Sequence, residues 1–278
     1  MKHALLISAY KDFDILIKML EYYKNYFDCY IHIDKKSKGY SKLYEYADEV
    51  DNIHVFRKYR INWGSYKHIS AFLLLMREAK KCDDYDYYHI ISANTFITKP
   101  YSEFDDFFNK HQNDNFIEIE NVSDDYFVNR FKYYHFLHIY NLKTPVGLII
   151  DRLVVKIQKT FNVTTKRIFN FKGYIYCHLN KKFVNYVLEY VQNNKYINSL
   201  KTCDIPEEFF FQNIIMSSEF KNNLVNDSLI YSLWNGNLPN PKTIDINDIT
   251  KILSDNSFFA RKIESVDVLN SIINEISG

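Results

Sequence analysis

Glycine is scarce, at six of 278 residues, against a usual ~7%. Neither G-x-G-x-x-G nor a Walker motif occurs. The backbone-cradled phosphate sites of dinucleotide enzymes and P-loop NTPases therefore lose their main sequence support, and a nucleotide would have to be held by side chains. The four cysteines, Cys29, Cys82, Cys177 and Cys203, form no C-x-x-C pair and have no metal-ligand spacing; they read as free thiols in a reducing cytosol. Long apolar runs are missing too. The opening Ala4-Leu5-Leu6-Ile7-Ser8 is too short for a signal peptide and far below the ~20 residues of a membrane span. No charge dominates, since 35 Lys+Arg stand against 34 Asp+Glu for a net +1, so nucleic acid is not an expected partner. With five prolines and no Pro/Gly/Ser-rich linker or repeat, the expected organisation is a single domain over 1–278.

What is present is a core. Hydrophobic residues make up 47% and aromatics 17% of the chain, with 24 tyrosines and 22 phenylalanines. Ala4–Tyr10 reads as a buried strand, and Asp12 as the cap of a helix with Ile15, Leu16, Met19, Leu20 and Tyr23 at helical period. Strands at Cys29–Ile33, Ile53–Phe56 and Tyr87–Ser92 alternate with helices near Tyr40–Tyr46 and from Ser65 to about Lys81. That alternation predicts a doubly wound, mostly parallel α/β sheet, with ligands beyond the carboxyl ends of its strands: Ala9-Tyr10, Asp34, Arg60–Gly64 and Ser92–Thr95. Residues 1–120 are expected to form a nucleotide-binding half and 121–172 an irregular, mainly helical insertion. Residues 173–278 are expected to form an acceptor and catalytic half, with a strand at Tyr174–His178, helices at Lys181–Val191 and from Pro206, a strand at Leu229–Trp234, a turn-rich piece at Asn235–Pro241 and two final helices.

Several groups could carry chemistry. Asp84-Tyr85-Asp86 is a D-x-D, the metal signature of many nucleotide-sugar transferases. It precedes its strand, however, at the edge opposite the ligand, and is expected to be a solvated loop. Pro206-Glu207-Glu208 places two carboxylates in a first helical turn, where the helix dipole favours them. Arg261-Lys262 is a cation pair able to neutralise a diphosphate, or else an exposed basic turn. His135 and His138 suggest no third ligand, so packing is expected in place of zinc. In 145–159, Val146, Leu148, Ile149, Leu153 and Ile157 form an apolar face beside Arg152, Lys156 and Lys159. Such a helix either rests on an anionic membrane or packs on the core with a wet basic edge, the latter being the expectation.

In order along the chain, these segments resemble the core-2/I-branching β-1,6-N-acetylglucosaminyltransferase family, which includes the peptide O-xylosyltransferases. Ala4–Asp12 is similar to its first strand and turn, Tyr30–Ser37 to its IHVDKKS-like strand, and Asn62-Trp63-Gly64-Ser65 to V-x-W-G-G/S. Tyr87–Lys99 stands in place of its LSGQDxPIK-like motif and Gly173–Tyr176 in place of G-S-x-W. Ile205–Glu208 is similar to P-[DE]-E, Leu233-Trp234 through Pro241 to W…HP, and Phe259–Ile263 to FARKF. The resemblance implies a GT-A-like, Rossmann-type fold and an inverting, metal-independent transfer from a UDP-sugar, with no other cofactor. Glu208 would be the general base, and Arg261 and Lys262 would stabilise the departing diphosphate. Asp34 would bond the uridine, with Ala9, Arg60 and Trp63 lining the nucleotide pocket and Arg130 and Trp234 touching the acceptor.

The family's Gly-Gln-Asp is Ala93-Asn94-Thr95 here, so Asn94 and Thr95 would meet the donor sugar without a carboxylate. UDP-GlcNAc with β-1,6 linkage is the first expectation, ahead of other UDP-sugars. The family's animal members carry a membrane anchor and disulfides. With neither, this chain is expected to be a bacterial cytoplasmic enzyme of surface polysaccharide synthesis, with a glycan acceptor that is lipid-linked if the 145–159 helix rests on the inner face of the membrane. Two alternatives stay open: an inactive homologue or carbohydrate-binding protein, and a glycoside hydrolase using Glu207 and Glu208.

Overall fold

In the computed structural model, which describes residues 1–193, 195–234 and 241–277, the elements alternate as the apolar spacing dictates. In order they are β1 (His3–Ala9), α1 (Phe13–Tyr23), β2 (Asp28–Ile33), α2 (Ser41–Asp48), β3 (Ile53–Phe56), α3 (Lys67–Cys82), β4 (Tyr87–Ser92), β5 (Phe96–Ile97), α4 (Tyr101–Lys110), β6 (Asn115–Phe116) and β7 (Glu120–Asn121). The insertion holds α5 (Asp125–Lys132) and α6 (Pro145–Thr160). There follow β8 (Phe171–Lys172), β9 (Cys177–Asn180), α7 (Lys181–Asn193), α8 (Tyr196–Leu200), α9 (Phe210–Met216), β10 (Leu224–Val225), β11 (Ile230–Ser232), α10 (Ile249–Ser254), β12 (Phe259–Arg261) and α11 (Val266–Ser277).

Among the described residues the main sheet runs β10-β6-β9-β4-β1-β2-β3. The β3-β2-β1-β4 half is wholly parallel, whereas β9 runs antiparallel to both β4 and β6. The fold is therefore mixed α/β with a mostly parallel sheet. Its strands are buried on both faces, as parallel sheets require. Leu5, Ile7, Ile31 and Ile91 pack with α1, α4 and α11 on one side, while Leu6, Tyr30 and Ile90 pack with α3, α7 and α9 on the other. β9, from the second half of the chain, sits between β4 and β6 from the first, so the two halves share one sheet. All four cysteines are free, as expected.

Three local expectations are corrected. Asp12 makes no capping hydrogen bond: its backbone is left-handed at φ 57, and its carboxylate pairs with the Lys11 ammonium at 2.6 Å. Of the strand expected over Tyr174–His178, only Cys177 and His178 lie in a strand, the start of β9; Tyr174–Tyr176 form an irregular link after β8. At Gly173 the chain passes so close to Glu118 that a Cβ would lie 1.9 Å from the Glu118 carbonyl oxygen, and the Gly173 N–H donates to the Glu208 carbonyl at 2.9 Å. The helix expected from Pro206 begins as one 3-10 turn, Pro206–Glu208, before α9. Of the turn-rich piece, Asn235–Asn240 lie outside the described residues.

Candidate active site

The carboxyl edge of the sheet is assembled from four turns. At the end of β1, the Ala9 carbonyl accepts from the Asp34 N–H at 3.0 Å, and Ala9 itself is buried. Asp34, at the end of β2, accepts from the Lys36 and Ile61 N–H groups at 2.9 and 3.2 Å, and the Lys36 ammonium lies 3.6 Å from its other oxygen. It is thus the knot that ties β2 to the 59–64 loop. In that loop Arg60 and Trp63 are exposed, and the Lys143 ammonium sits 5.8 Å above the Trp63 ring. Gly64 adopts φ +73 and packs on Ile205 and Asp204, a position where a side chain would be both strained and crowded.

The Ser92–Thr95 turn departs from expectation. Thr95 is 1% exposed, with its hydroxyl 2.8 Å from that of Ser92 and its carbonyl accepting from Tyr23. It braces the turn from inside and does not face a donor sugar. Asn94 does reach the surface of the turn: its amide lies 3.5 Å from Glu264, and its carbonyl accepts from the Ile263 N–H at 2.9 Å. This clamps the turn to the segment after β12.

That segment supplies the cations. Arg261 is buried with its guanidinium 4.6 Å over the Tyr176 ring and its Nε unpartnered. The Lys262 ammonium is pushed below the usual lysine value by burial, then by the charge of Arg261, with Lys11 and Lys143 adding to it against Glu264. Four cations therefore crowd one edge, opposed by Asp12 and Glu264, which both pair with Lys11 at 2.6 and 3.1 Å; the cations remain in excess, an arrangement that favours an anion. Lys11, Lys143 and Glu264 escaped the sequence reading because each belongs to a different segment and only the fold brings them together.

Glu207 and Glu208 diverge. Glu207 is buried with one oxygen 3.5 Å from the His68 ring and the other unpartnered. Glu208 points to Arg130, whose guanidinium donates to it at 2.5 Å and to the Tyr126 hydroxyl at 3.0 Å, with Asp204 at 4.0 Å. Burial raises the Glu208 carboxyl above its usual value; Arg130 opposes this and Glu207 adds to it. A carboxylate so raised is a better proton acceptor at neutral pH. Burial likewise pushes Asp204 up to about 6. Arg130, expected at the acceptor, is buried and paired with Glu208. Ile205, just before the turn, holds φ 44, a costly conformation for a β-branched residue of the kind that gathers at functional sites.

Arg261 also lines a cavity of about 100 Å³, together with Glu118, Tyr174, Tyr176, Ser228, Ile230, Ser232 and Trp234. Trp234 stacks on Tyr174 with ring centroids 5.9 Å apart. The Tyr174 hydroxyl is raised by burial and feels the charges of Glu118, Arg261 and Glu208 together. Glu118, itself raised by burial, and the two tyrosines were missed, although the i, i+2 spacing of Tyr174 and Tyr176 around buried Ile175 is a legible signal. Trp234, expected at the acceptor, lines this cavity.

At the opposite edge the D-x-D is occupied by the protein itself. Asp86 accepts from the Lys2 N–H at 2.8 Å, Asp84 pairs with Lys181, and neighbouring Asp83 pairs with Lys2 at 2.5 Å. His135 binds Asp151 at 2.9 Å and His138 packs on Tyr66, so neither histidine is set up for zinc.

The protein is thus, as a class, a mixed α/β fold with side-chain cations gathered at the carboxyl edge of a mostly parallel sheet. Residues 4–256 match the family model described as Core-2/I-Branching enzyme: this chain belongs to that glycosyltransferase family. Xylosyltransferase 2 of Rattus norvegicus is 23% identical over 282 residues, which cover 90% of this chain and 30% of that protein; the chain thus spans under a third of that relative. Among solved structures, S. aureus TarS 1–349 in complex with UDP-GlcNAc is 12% identical, with a TM-score of 0.34 over 62% of this chain and 49% of that one. A putative glucose-1-phosphate thymidylyltransferase from Bacillus anthracis is 11% identical, with a TM-score of 0.39 over 81% and 85%.

Proposed function

We infer that the protein transfers a sugar from a UDP-sugar to a glycan acceptor with inversion and without a divalent ion. Glu208 takes the proton from the acceptor hydroxyl as its oxygen bonds to the sugar's anomeric carbon. The bond to the diphosphate breaks, and UDP leaves with the electron pair. Arg261 and Lys262, aided by Lys11 and Lys143, offset the charge that develops on the leaving group, a role for which preorganised cations are well suited. Arg130 holds the base in place. Trp234 and Tyr174 offer a stacked aromatic wall to the acceptor, and Asp34, Arg60 and Trp63 border the uridine. UDP-GlcNAc and a β-1,6 linkage lead on the family pattern, and a lipid-linked acceptor of bacterial surface polysaccharide, met at the inner face of the membrane, fits best.

The observation that carries this reading is that Arg261, which lines the cavity, and the half-buried carboxylate of Glu208 both lie close enough to the cavity-lining Tyr174 for their charges to act on its hydroxyl. Glu207, turned to His68, cannot face Glu208 across a scissile bond, which weighs against a hydrolase. The test is UDP release from a panel of UDP-sugars in EDTA. Turnover on one donor is expected, falling by about 10²- to 10⁴-fold in Glu208→Gln and strongly in Lys262→Ala. Turnover that needs a divalent ion, or an undiminished Glu208→Gln, overturns it.

A further inference from the structure

Helix α6 is turned inside out. Its buried residues are Gly147, Asp151 and Gln158, a stripe at i, i+4, i+11 made of a glycine and two polar side chains. Asp151 is held by the His135 ring at 2.9 Å and the Tyr140 hydroxyl at 2.7 Å. Gln158 accepts from the Tyr134 N–H and donates to its carbonyl at 2.7 and 2.9 Å. Gly147 lets the helix rest on the Asn141 carbonyl, where a Cβ would lie 2.1 Å away. The apolar stripe at Val146, Ile149, Ile150, Leu153 and Ile157, continued by Phe161, faces outward instead; Ile149, Leu153 and Ile157 are 56, 54 and 57% exposed.

Alongside it Lys143, Arg152, Lys156, Lys159 and Lys166 are exposed, and from 143 to 168 no Asp or Glu is, since Asp151 is the sole acid and is buried. Five exposed cations on this stretch contrast with a net charge of +1 for the whole chain. A second copy docked face to face would set like charges together, whereas an anionic bilayer supplies both hydrocarbon and opposite charge. The helix, about 24 Å long at 1.5 Å per residue, would lie in the interface plane; no helix of the described residues is long and apolar enough to cross a membrane. The turn that starts it carries Lys143 to Trp63 and to the neighbourhood of Lys262, so the basic face begins at the rim of the candidate active site.

We propose that the outward face of α6 with its flanking cations is a docking surface for an anionic lipid bilayer. The surface argument does not depend on the identity of the donor. The test is flotation of the full chain with phosphatidylcholine vesicles, with and without phosphatidylglycerol, beside UDP release assayed on the same preparations. Binding is expected only to the anionic vesicles. It should weaken by about a hundredfold in Arg152→Gln/Lys156→Gln/Lys159→Gln, at about fivefold per charge, and vanish in Leu153→Glu/Ile157→Glu, with both variants melting like the parent. Absence from anionic vesicles overturns the proposal, as does binding indifferent to both variants, or a dimer in sedimentation that Leu153→Glu/Ile157→Glu dissolves. A preparation that floats without releasing UDP supports the docking face and counts against the transfer reading alone.

Discussion

Helices α3 and α6 are both 16 residues long, and both carry an apolar stripe at helical spacing, yet they face opposite ways. In α3 the stripe of Ile69, Phe72, Leu73, Met76 and Ala79 is buried against Leu6, Tyr30 and Ile90 of the sheet. In α6 the stripe is in the open, and a buried glycine, aspartate and glutamine attach the helix to the insertion. Periodicity creates a stripe in both; what lies beneath decides which side turns inward. Under α3 lies a hydrocarbon surface. Under α6 lie backbone carbonyls, an imidazole and a phenol, which can satisfy polar groups that would be costly to bury unpaired.

The largest expected contrast is in stability. Phe72→Ala should cost about 3–5 kcal/mol and Leu153→Ala no more than about 0.5 kcal/mol, read from denaturant midpoints; equal losses would mean that the α6 stripe is covered and the comparison false. The polar side offers the next test. Asp151→Ala leaves the buried His135 without its counter-charge and should cost about 3–5 kcal/mol, as breaking buried pairs does, whereas an aspartate merely decorating the surface would cost almost nothing.

The smallest effect is its pH dependence. Burial works against both charges, but each partner prevails: His135 is raised above 6.5 by its hydrogen bond and charge pairing with Asp151, and Asp151 is lowered below 3.8 by the same bond and by Tyr140. The raised imidazole contributes fully below pH 6.5 and loses that contribution as pH climbs through its folded value. The lowered carboxyl contributes above pH 3.8 and loses it as pH falls through its own. The stability gap between the parent and Asp151→Asn should thus be widest between these limits and narrow on either side, and a flat gap from pH 4 to 9 would remove the pair from the account.

The parallel strands, the two-faced burial and the amino-end position of Asp84 and Asp86 were legible because they follow from local spacing. So were Glu208, Arg261, Lys262 and Trp234 as candidates, each lying in an ordered motif of the family resemblance. The commitment of Arg130 to Glu208 was not legible, nor was the inward turn of Thr95 or the gathering of Lys11 and Lys143 at Lys262. Each depends on contacts across 78, three or more than a hundred residues of chain, whose partners are chosen by packing.

By itself, then, the sequence determined the period of each element, the order of the motifs and the family to which the chain belongs, because these reside in neighbouring residues and their spacing. Only the tertiary structure decided which charges neutralise one another and which remain open. Asp84 and Asp86 met Lys181 and the Lys2 backbone at one edge of the sheet, while Arg261 and Lys262 met further cations at the other. It also decided that α6 turns its polar stripe inward, since the cost of burying a group is set by the partner waiting for it, and that partner comes from elsewhere in the chain.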